Sequence, residues 1–410
     1  MYNIPVIIPY IDNDEASEVA EVLKSGWVTQ GTRVQEFERL ICRHENVKYG
    51  VATTSCTTAL HLALSVMGIG SGCDCILPSL TFVATPNAIT YTGATPIFAD
   101  VRTDTYNICI ESLENILHND YIEGNDGELV NKKSGNTLKA IIPVNLFGLC
   151  ADLPGINGIA KRHGLMVIQD SACAFGAKIN DRMQADFGNI SCLSFHPRKS
   201  ITTGEGGMIL TNDNQTTRQL RAGRSHGASV SEISRHKNSG YLLPDFDQLG
   251  YNYRMTDIQA AIGIAQLRKF GYITDTRRKK AAFYNRMIKE MTIDFLLPPY
   301  VPDGYFSTFQ SYVCMLDNHA LGIPDIEDAS AFRNNLMQKL ESAGIATRVG
   351  THATHMLGYY REKFGFKNAD FPGAYTCDRL SITLPLYVQM TDDDQIAVLS
   401  EILKAKGELL

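Results

Sequence analysis

Lys199 lies in the run SFHPRKSITTGEGGMIL, between an apolar stretch expected to form a strand (Ile190 to Phe195) and the turn-forming Gly204, Glu205, Gly206 and Gly207. Met208 to Leu210 then reads as a second strand, so the lysine is held between two elements that can aim it at one point. Taken alone, a lysine is an exposed surface residue. Three further segments change its meaning. Asp170 closes the apolar strand LMVIQ, and in open α/β sheets ligands collect beyond the carboxyl ends of strands. The same carboxylate serves equally well as an N-cap for the SACAFGA turn. Thr57 and Thr58 open the helix TTALHLAL, where free N–H groups and the helix dipole favour an anion, with a plain threonine N-cap as the equal alternative. Ser194 adds a hydroxyl, and Phe82 in PSLTFVAT offers an aromatic face, although an aromatic near a strand end is by default core packing. An amine for an aldehyde, an acid for a ring nitrogen, donors for a phosphate and a flat surface are together the requirements of pyridoxal 5'-phosphate.

These groups need a frame, and from about Lys48 the chain alternates short apolar runs with stretches of helical spacing. KYGVAT precedes TTALHLALSVMG, in which Leu60, Ala63, Leu64 and Met67 share a face; CDCILP, TPIFADV, KAIIPV and GLMVIQD follow with helices between. Such alternation implies an α/β fold with a mostly parallel sheet covered on both sides. The polar stretch 118–136 reads as a surface excursion. Beyond a helix ending near Ile288, LPPYVPDGY looks like a connector, and QSYVCML opens a smaller region with a long helix around Ala329 to Ala343. The division expected is an N-terminal arm and large domain over 1–290 and a smaller C-terminal α+β domain over 291–410. Arg277, Arg278, Lys279 and Lys280 are read as a solvated helix face.

A chain of 410 residues, 44% hydrophobic, has room for two lobes and a cleft. A net charge of −6 argues against a nucleic-acid surface, which needs excess Lys and Arg. No stretch approaches the roughly 20 apolar residues that span a bilayer, and MYNIPVIIPYIDNDE has no signal-peptide pattern, so a cytoplasmic protein without membrane contact is expected. The ten cysteines are scattered, with only Cys73 and Cys75 close together and no second pair at zinc spacing. His352 and His355 are three apart but lack a neighbouring acid or thiol at ligand spacing, so no metal is expected.

SGWVTQG, TSCTTALHLAL, TFVATPNAI, GATPIFADV, QDSACAFGA, SFHPRKSITTGEGGMI, LGYNYRMTDIQAAIGIAQL and LPLYVQMTDDDQ resemble, in order and over nearly the whole chain, segments of the DegT/DnrJ/EryC1/StrS sugar aminotransferase family. The resemblance implies the aspartate-aminotransferase-like fold (fold type I of pyridoxal-phosphate-dependent transferases) and a homodimer with active sites at the subunit interface. It implies Lys199 as the lysine that carries the cofactor, Asp170 at the ring nitrogen, Thr57, Thr58 and Ser194 at the phosphate, and Phe82 over the ring. Asn252 matches the asparagine that reaches the phosphate of the neighbouring subunit's cofactor. Two positions depart from the pattern: Cys56 stands where many relatives have glycine, and Cys173 where many have His or Gln beside the ring hydroxyl. On the substrate side the candidates are Trp27, Thr29, His196, Arg254, Arg348, His352 and His355, with Arg254 and Arg348 as partners for a diphosphate.

The activity implied is transfer of an amino group from L-glutamate, through pyridoxamine 5'-phosphate, to a ketosugar. The acceptor expected is a nucleotide-linked 4-keto-6-deoxyhexose for a bacterial surface glycan, with C3 transfer or a cyclitol acceptor open. A sugar dehydratase of the same fold replaces the lysine, typically by histidine, and Lys199 is intact. A non-catalytic cofactor-binding paralogue is the rival of another class, and no appended basic domain supports it.

Overall fold

The computed structural model describes residues 2–228 and 245–410. Its main sheet is built on β1 (Tyr49–Thr53), β2 (Cys73–Pro78), β3 (Thr95–Ala99), β4 (Thr137–Ile141), β5 (Met166–Asp170), β6 (Ile190–Ser194) and β7 (Gly207–Thr211). The order is β1-β7-β6-β5-β4-β2-β3. Pairs from β6 through β3 are parallel, while β7 runs antiparallel to both its neighbours. Burial on both faces explains the continuous apolar runs seen in sequence. Along β2, Cys75 and Leu77 pack with Leu60, Ala63 and Leu64, whereas Ile76 packs on the opposite face with Leu113 and Ile156. The mixed, mostly parallel α/β architecture is as the sequence implies.

The helices that matter for the site are α1 (Asn13–Ser25), α2 (Thr32–Glu45), α3 (Cys56–Val66), α4 (Ala84–Tyr91) and the long α5 (Asp257–Glu290). In the C-terminal region, β8 (Leu296–Leu297), β9 (Tyr312–Leu316) and β10 (Ser381–Leu384) form an antiparallel sheet in the order β8-β9-β10. Helices α6 (Ile326–Ser342) and α7 (Asp392–Leu409) share a core with it through Leu336, Leu340, Val398 and Ile402. Ile4 belongs to that same core. The arm, grouped by sequence with the first lobe, pairs with the second: Tyr2 N–H donates to Ala343 O (2.8 Å), Ile4 N–H to Gly344 O (2.9 Å) and Ala346 N–H to Ile4 O (2.9 Å).

Two expectations change in the structure. The stretch 118–136 lies at the surface as expected, but it carries a β-hairpin, Tyr121–Glu123 with Leu129–Asn131, that joins the main sheet beside β4. Its polar side chains satisfy a buried acid: Tyr121 Oη, Asn131 Nδ2 and Asn136 Nδ2 donate to the Asp74 carboxylate at 2.7, 2.9 and 2.8 Å. The basic run is also not a solvated face. Arg277 is 3% exposed and donates to Leu386 O, Arg278 donates to Ser307 O and covers Phe306, and Lys280 donates to Met390 O, so only Lys279 is left exposed.

Candidate active site

The carboxyl ends of β5 and β6, the start of α3 and the edge of the C-terminal lobe enclose a cavity of about 820 Å³. Lys199 enters it from the loop after β6. The loop is closed on itself: Lys199 N–H donates to His196 O (2.8 Å), Thr203 N–H to Phe195 O (2.9 Å) and Thr202 Oγ1 to the same carbonyl (3.0 Å). Gly204 turns at φ +81, and a Cβ on Gly207 would meet Ser55 C at 2.4 Å, so the glycine lets β7 lie directly against the start of α3. Lys199 Nζ donates to Cys173 Sγ at 3.1 Å. Burial pulls the Lys199 ammonium toward neutrality, but the Cys173 sulfur and the Asp170 carboxylate more than offset it, and the net displacement is upward.

Asp170 ends β5 and is 5% exposed. Its Oδ2 accepts from Thr85 Oγ1 at 2.6 Å and its Oδ1 from Ala172 N–H at 3.1 Å. Burial raises its pKa, and these donors together with Lys199 restrain the rise. Thr85 was not singled out from sequence; the signal was its position in the first turn of α4, three residues after Phe82. Cys56 Sγ turns inward, 3.9 Å from Asp170 Oδ1 and 3.7 Å from Cys192 O, and burial beside Asp170 keeps it a thiol. The start of α3 is therefore not blocked by this larger residue.

Ser55, rather than a threonine, caps α3. Its Oγ accepts from Thr58 N–H (3.2 Å), while Thr58 Oγ1 donates to Ser55 O (2.8 Å) and accepts from Ser55 N–H (3.0 Å). Thr58 is thereby committed to the helix start, and Thr57 and Ser55 line the cavity. Ser194, Cys173, His196, Arg348 and His352 line it too, as does Phe82, which is 63% exposed. Arg198 N–H donates to His196 Nδ1 (3.2 Å), which leaves the ring proton on Nε2, 3.9 Å from Glu205 Oε1; burial lowers the His196 pKa.

Other candidates lie elsewhere. His355 is wholly buried, with Nδ1 2.6 Å from Ser79 Oγ and its ring against Phe371, so it joins the lobes instead of facing the cavity. Among the described residues no group of three or more His, Cys, Asp or Glu side chains is arranged to hold a metal. Trp27, Thr29, Asn252 and Arg254 are outside the cavity lining, and Asp257 fixes the segment that carries Thr29. The Asp257 N–H donates to Thr29 O (2.9 Å), and its Oδ1 accepts from Gly31 N–H (2.7 Å) and Val34 N–H (3.0 Å). Arg254 bridges Thr53 through its backbone, and Asn252 is exposed. Among the described residues no helix is long and apolar enough to cross a membrane.

Comparison with known proteins converges on one group. The model of the DegT/DnrJ/EryC1/StrS aminotransferase family matches residues 9–403. The chain is 34% identical over 391 residues to the spore coat polysaccharide biosynthesis protein SpsC of Bacillus subtilis, covering 95% of this chain and 94% of that protein. It superposes on the putative sugar aminotransferase Spr1654 of Streptococcus pneumoniae in its PMP form with a TM-score of 0.87 at 25% identity, covering 100% of both chains. On Helicobacter pylori PseC, an aminotransferase of pseudoaminic acid biosynthesis, the TM-score is 0.85 at 25% identity, covering 99% of this chain and 100% of that one.

Proposed function

The chain belongs to the DegT/DnrJ/EryC1/StrS aminotransferase family and is a pyridoxal-phosphate-dependent sugar aminotransferase, and on that premise we propose that Lys199 carries the cofactor, L-glutamate supplies the amine and a nucleotide-linked 4-keto-6-deoxyhexose accepts it. The observation that carries this reading is the meeting, in one cavity, of a lysine amine, a buried carboxylate and a capped helix start.

The residues present suit the cofactor. The α3 N-terminus, with Thr57 and Ser55, and Ser194 at the end of β6 offer donors for a phosphate. Phe82 offers an exposed ring, and Asp170 is oriented by Thr85 and the Ala172 N–H. When bound, pyridoxal phosphate supplies an aldehyde for an amine and a ring that takes up the electrons left when a neighbouring C–H bond breaks. Lys199 would hold it through Nζ, and the same amine, when free and unprotonated, would take the proton from the donor's α-carbon. An ionised Asp170 would favour a protonated ring nitrogen, and Cys173, whose sulfur accepts from Lys199 Nζ, stands beside the same amine.

Asn252 and Arg254 would act on a second copy's site, Asn252 at its phosphate and Arg254 at the substrate diphosphate. The exposure of Asn252, Tyr91 and Leu249 around the stacked Tyr251 and Tyr253 supports a homodimer. The enzyme would work in the cytoplasm on a precursor of a surface glycan. Borohydride reduction of the holoenzyme followed by peptide mass mapping should label Lys199, and the cofactor absorbance should bleach with glutamate and return with a ketosugar. A label on another lysine overturns the assignment. Inactivity on every dTDP-, UDP- and GDP-linked 4-ketosugar, with turnover of a 3-ketosugar, overturns the choice of acceptor.

A further inference from the structure

Two arginines of the cavity have no acid. Arg198 immediately precedes Lys199, Arg348 reaches the same cavity from the C-terminal lobe, and neither guanidinium has an ion-pair or hydrogen-bond partner among the described residues. The contrast is with Arg224, buried elsewhere in the lobe that carries Arg198, which meets Glu38 at 2.6 Å. The two backbones are fixed independently. Gln310 Nε2 donates to Arg198 O, and Arg348 exchanges backbone hydrogen bonds of 3.3 and 2.6 Å with Thr383 of β10. Burial, and then the charge of Arg198, lower the Arg348 pKa, and both arginines act on His196 in the same direction. Two like charges on one concave wall repel, and an anion that bonds to both relieves that repulsion. The planar guanidinium fork matches a carboxylate with two parallel hydrogen bonds.

We propose that Arg198 and Arg348, one from each lobe, form a subsite for the side-chain carboxylate of a dicarboxylic amino donor and so select it over a neutral amino acid. The proposal rests on the aminotransferase reading above. A donor has to present its amine at Lys199 with its distal carboxylate only a few bonds away, which the neighbour of Lys199 is placed to meet. A sugar diphosphate instead lies across the hexose ring from the reacting carbon, and its nucleoside has to extend toward the cavity mouth. A carboxylate held by both arginines also ties the C-terminal lobe to the lysine loop while the donor reacts.

Arg198→Gln and Arg348→Gln are compared with the wild-type holoenzyme in each half-reaction separately, followed by cofactor absorbance with L-glutamate, with isosteric L-glutamine and with a ketosugar. In each variant the efficiency with glutamate should fall roughly 30-fold or more, while glutamine and ketosugar stay within about threefold of wild type. Calorimetry should show weaker binding of glutarate, an unreactive dicarboxylate, in both variants, and Arg348→Lys should recover part of that loss. A loss confined to the ketosugar half-reaction assigns the pair to the diphosphate and overturns the proposal. So does an equal loss with glutamate and glutamine, which points to the α-carboxylate, or no loss with glutamate. Wild-type enzyme that responds to no amino acid refutes the aminotransferase reading itself, whatever the variants do.

Discussion

The lysine loop and the N-terminal arm border the same cavity but are built on different length scales. The loop that carries Lys199 closes mainly on itself: Thr202 and Thr203 close on Phe195, and the ring of His196 receives the N–H of Arg198. The arm is fixed by partners hundreds of positions away. Ile4 lies beside Ile345, Leu386 N–H donates to Val6 O (3.0 Å), and Val6 and Ile7 then form part of the cavity wall. Local contacts aim the reacting atoms, and distant ones shape the space around them. Substitutions in the first region should therefore act on the chemical step, and those in the second on stability and substrate affinity.

Lys199→Ala is the largest test of that separation. On the proposed role it would remove both the covalent tether and the base, so the half-reaction with glutamate should slow by at least about 10⁴-fold while the protein still binds cofactor noncovalently. Retained turnover contradicts the role of Lys199. Asp170→Asn comes next, with a loss of roughly 10²–10³-fold in the same half-reaction. It also has a signature in the cofactor-free protein. Burial raises the Asp170 pKa above its ordinary 3.8, so the folded state keeps a proton that the unfolded chain has released. The stability this group contributes is then full below the unfolded value and is lost as pH rises through the folded one. Cofactor-free wild type should lose stability relative to Asp170→Asn along that rise, and a pH-independent difference between the two unfolding curves contradicts the burial argument.

In the second region, Ile4→Ala deletes a 3% exposed side chain from the C-terminal core and should cost about 2–5 kcal/mol in arm docking. Limited proteolysis near the N-terminus and a raised KM for the ketosugar, with little change in the chemical step, are the expected results. A fall in the chemical step as deep as that of Asp170→Asn means the two regions are not separable.

The same division governs what was legible in the sequence. Strand ends, the glycine turn and the place of Asp170 at the end of β5 were readable because they follow from neighbours in the chain, and the alternation of apolar runs implied the covered parallel sheet. Ser55 outdid the threonines as the cap of α3, a choice between adjacent hydroxyls that periodicity does not make. His355 looked like a substrate contact because nothing in its segment announces Ser79 and Phe371 as partners. Arg198 went unremarked beside the lysine, since an arginine without an acid is recognised only when the whole cavity wall is assembled. The stretch 118–136 was legible as surface, but its hairpin was not, because Asp74, the charge it satisfies, is far upstream.

Arg277 gives the smallest and sharpest prediction. It joins α5 to the segment after β10 through one hydrogen bond of 3.1 Å to Leu386 O, and burial without an acid pushes its pKa down to about 10. A buried charge met only by a carbonyl loses nearly as much hydration as it gains in bonding, and an apolar chain of similar length keeps the packing without that penalty. Arg277→Met should therefore change stability by no more than about 1 kcal/mol in either direction, measured by denaturant unfolding, although Arg277 is as buried as Ile4. If it instead destabilises as much as Ile4→Ala, the interlobe tie is electrostatic after all, and the arm is held in place by the charge beneath it rather than by the apolar core it enters.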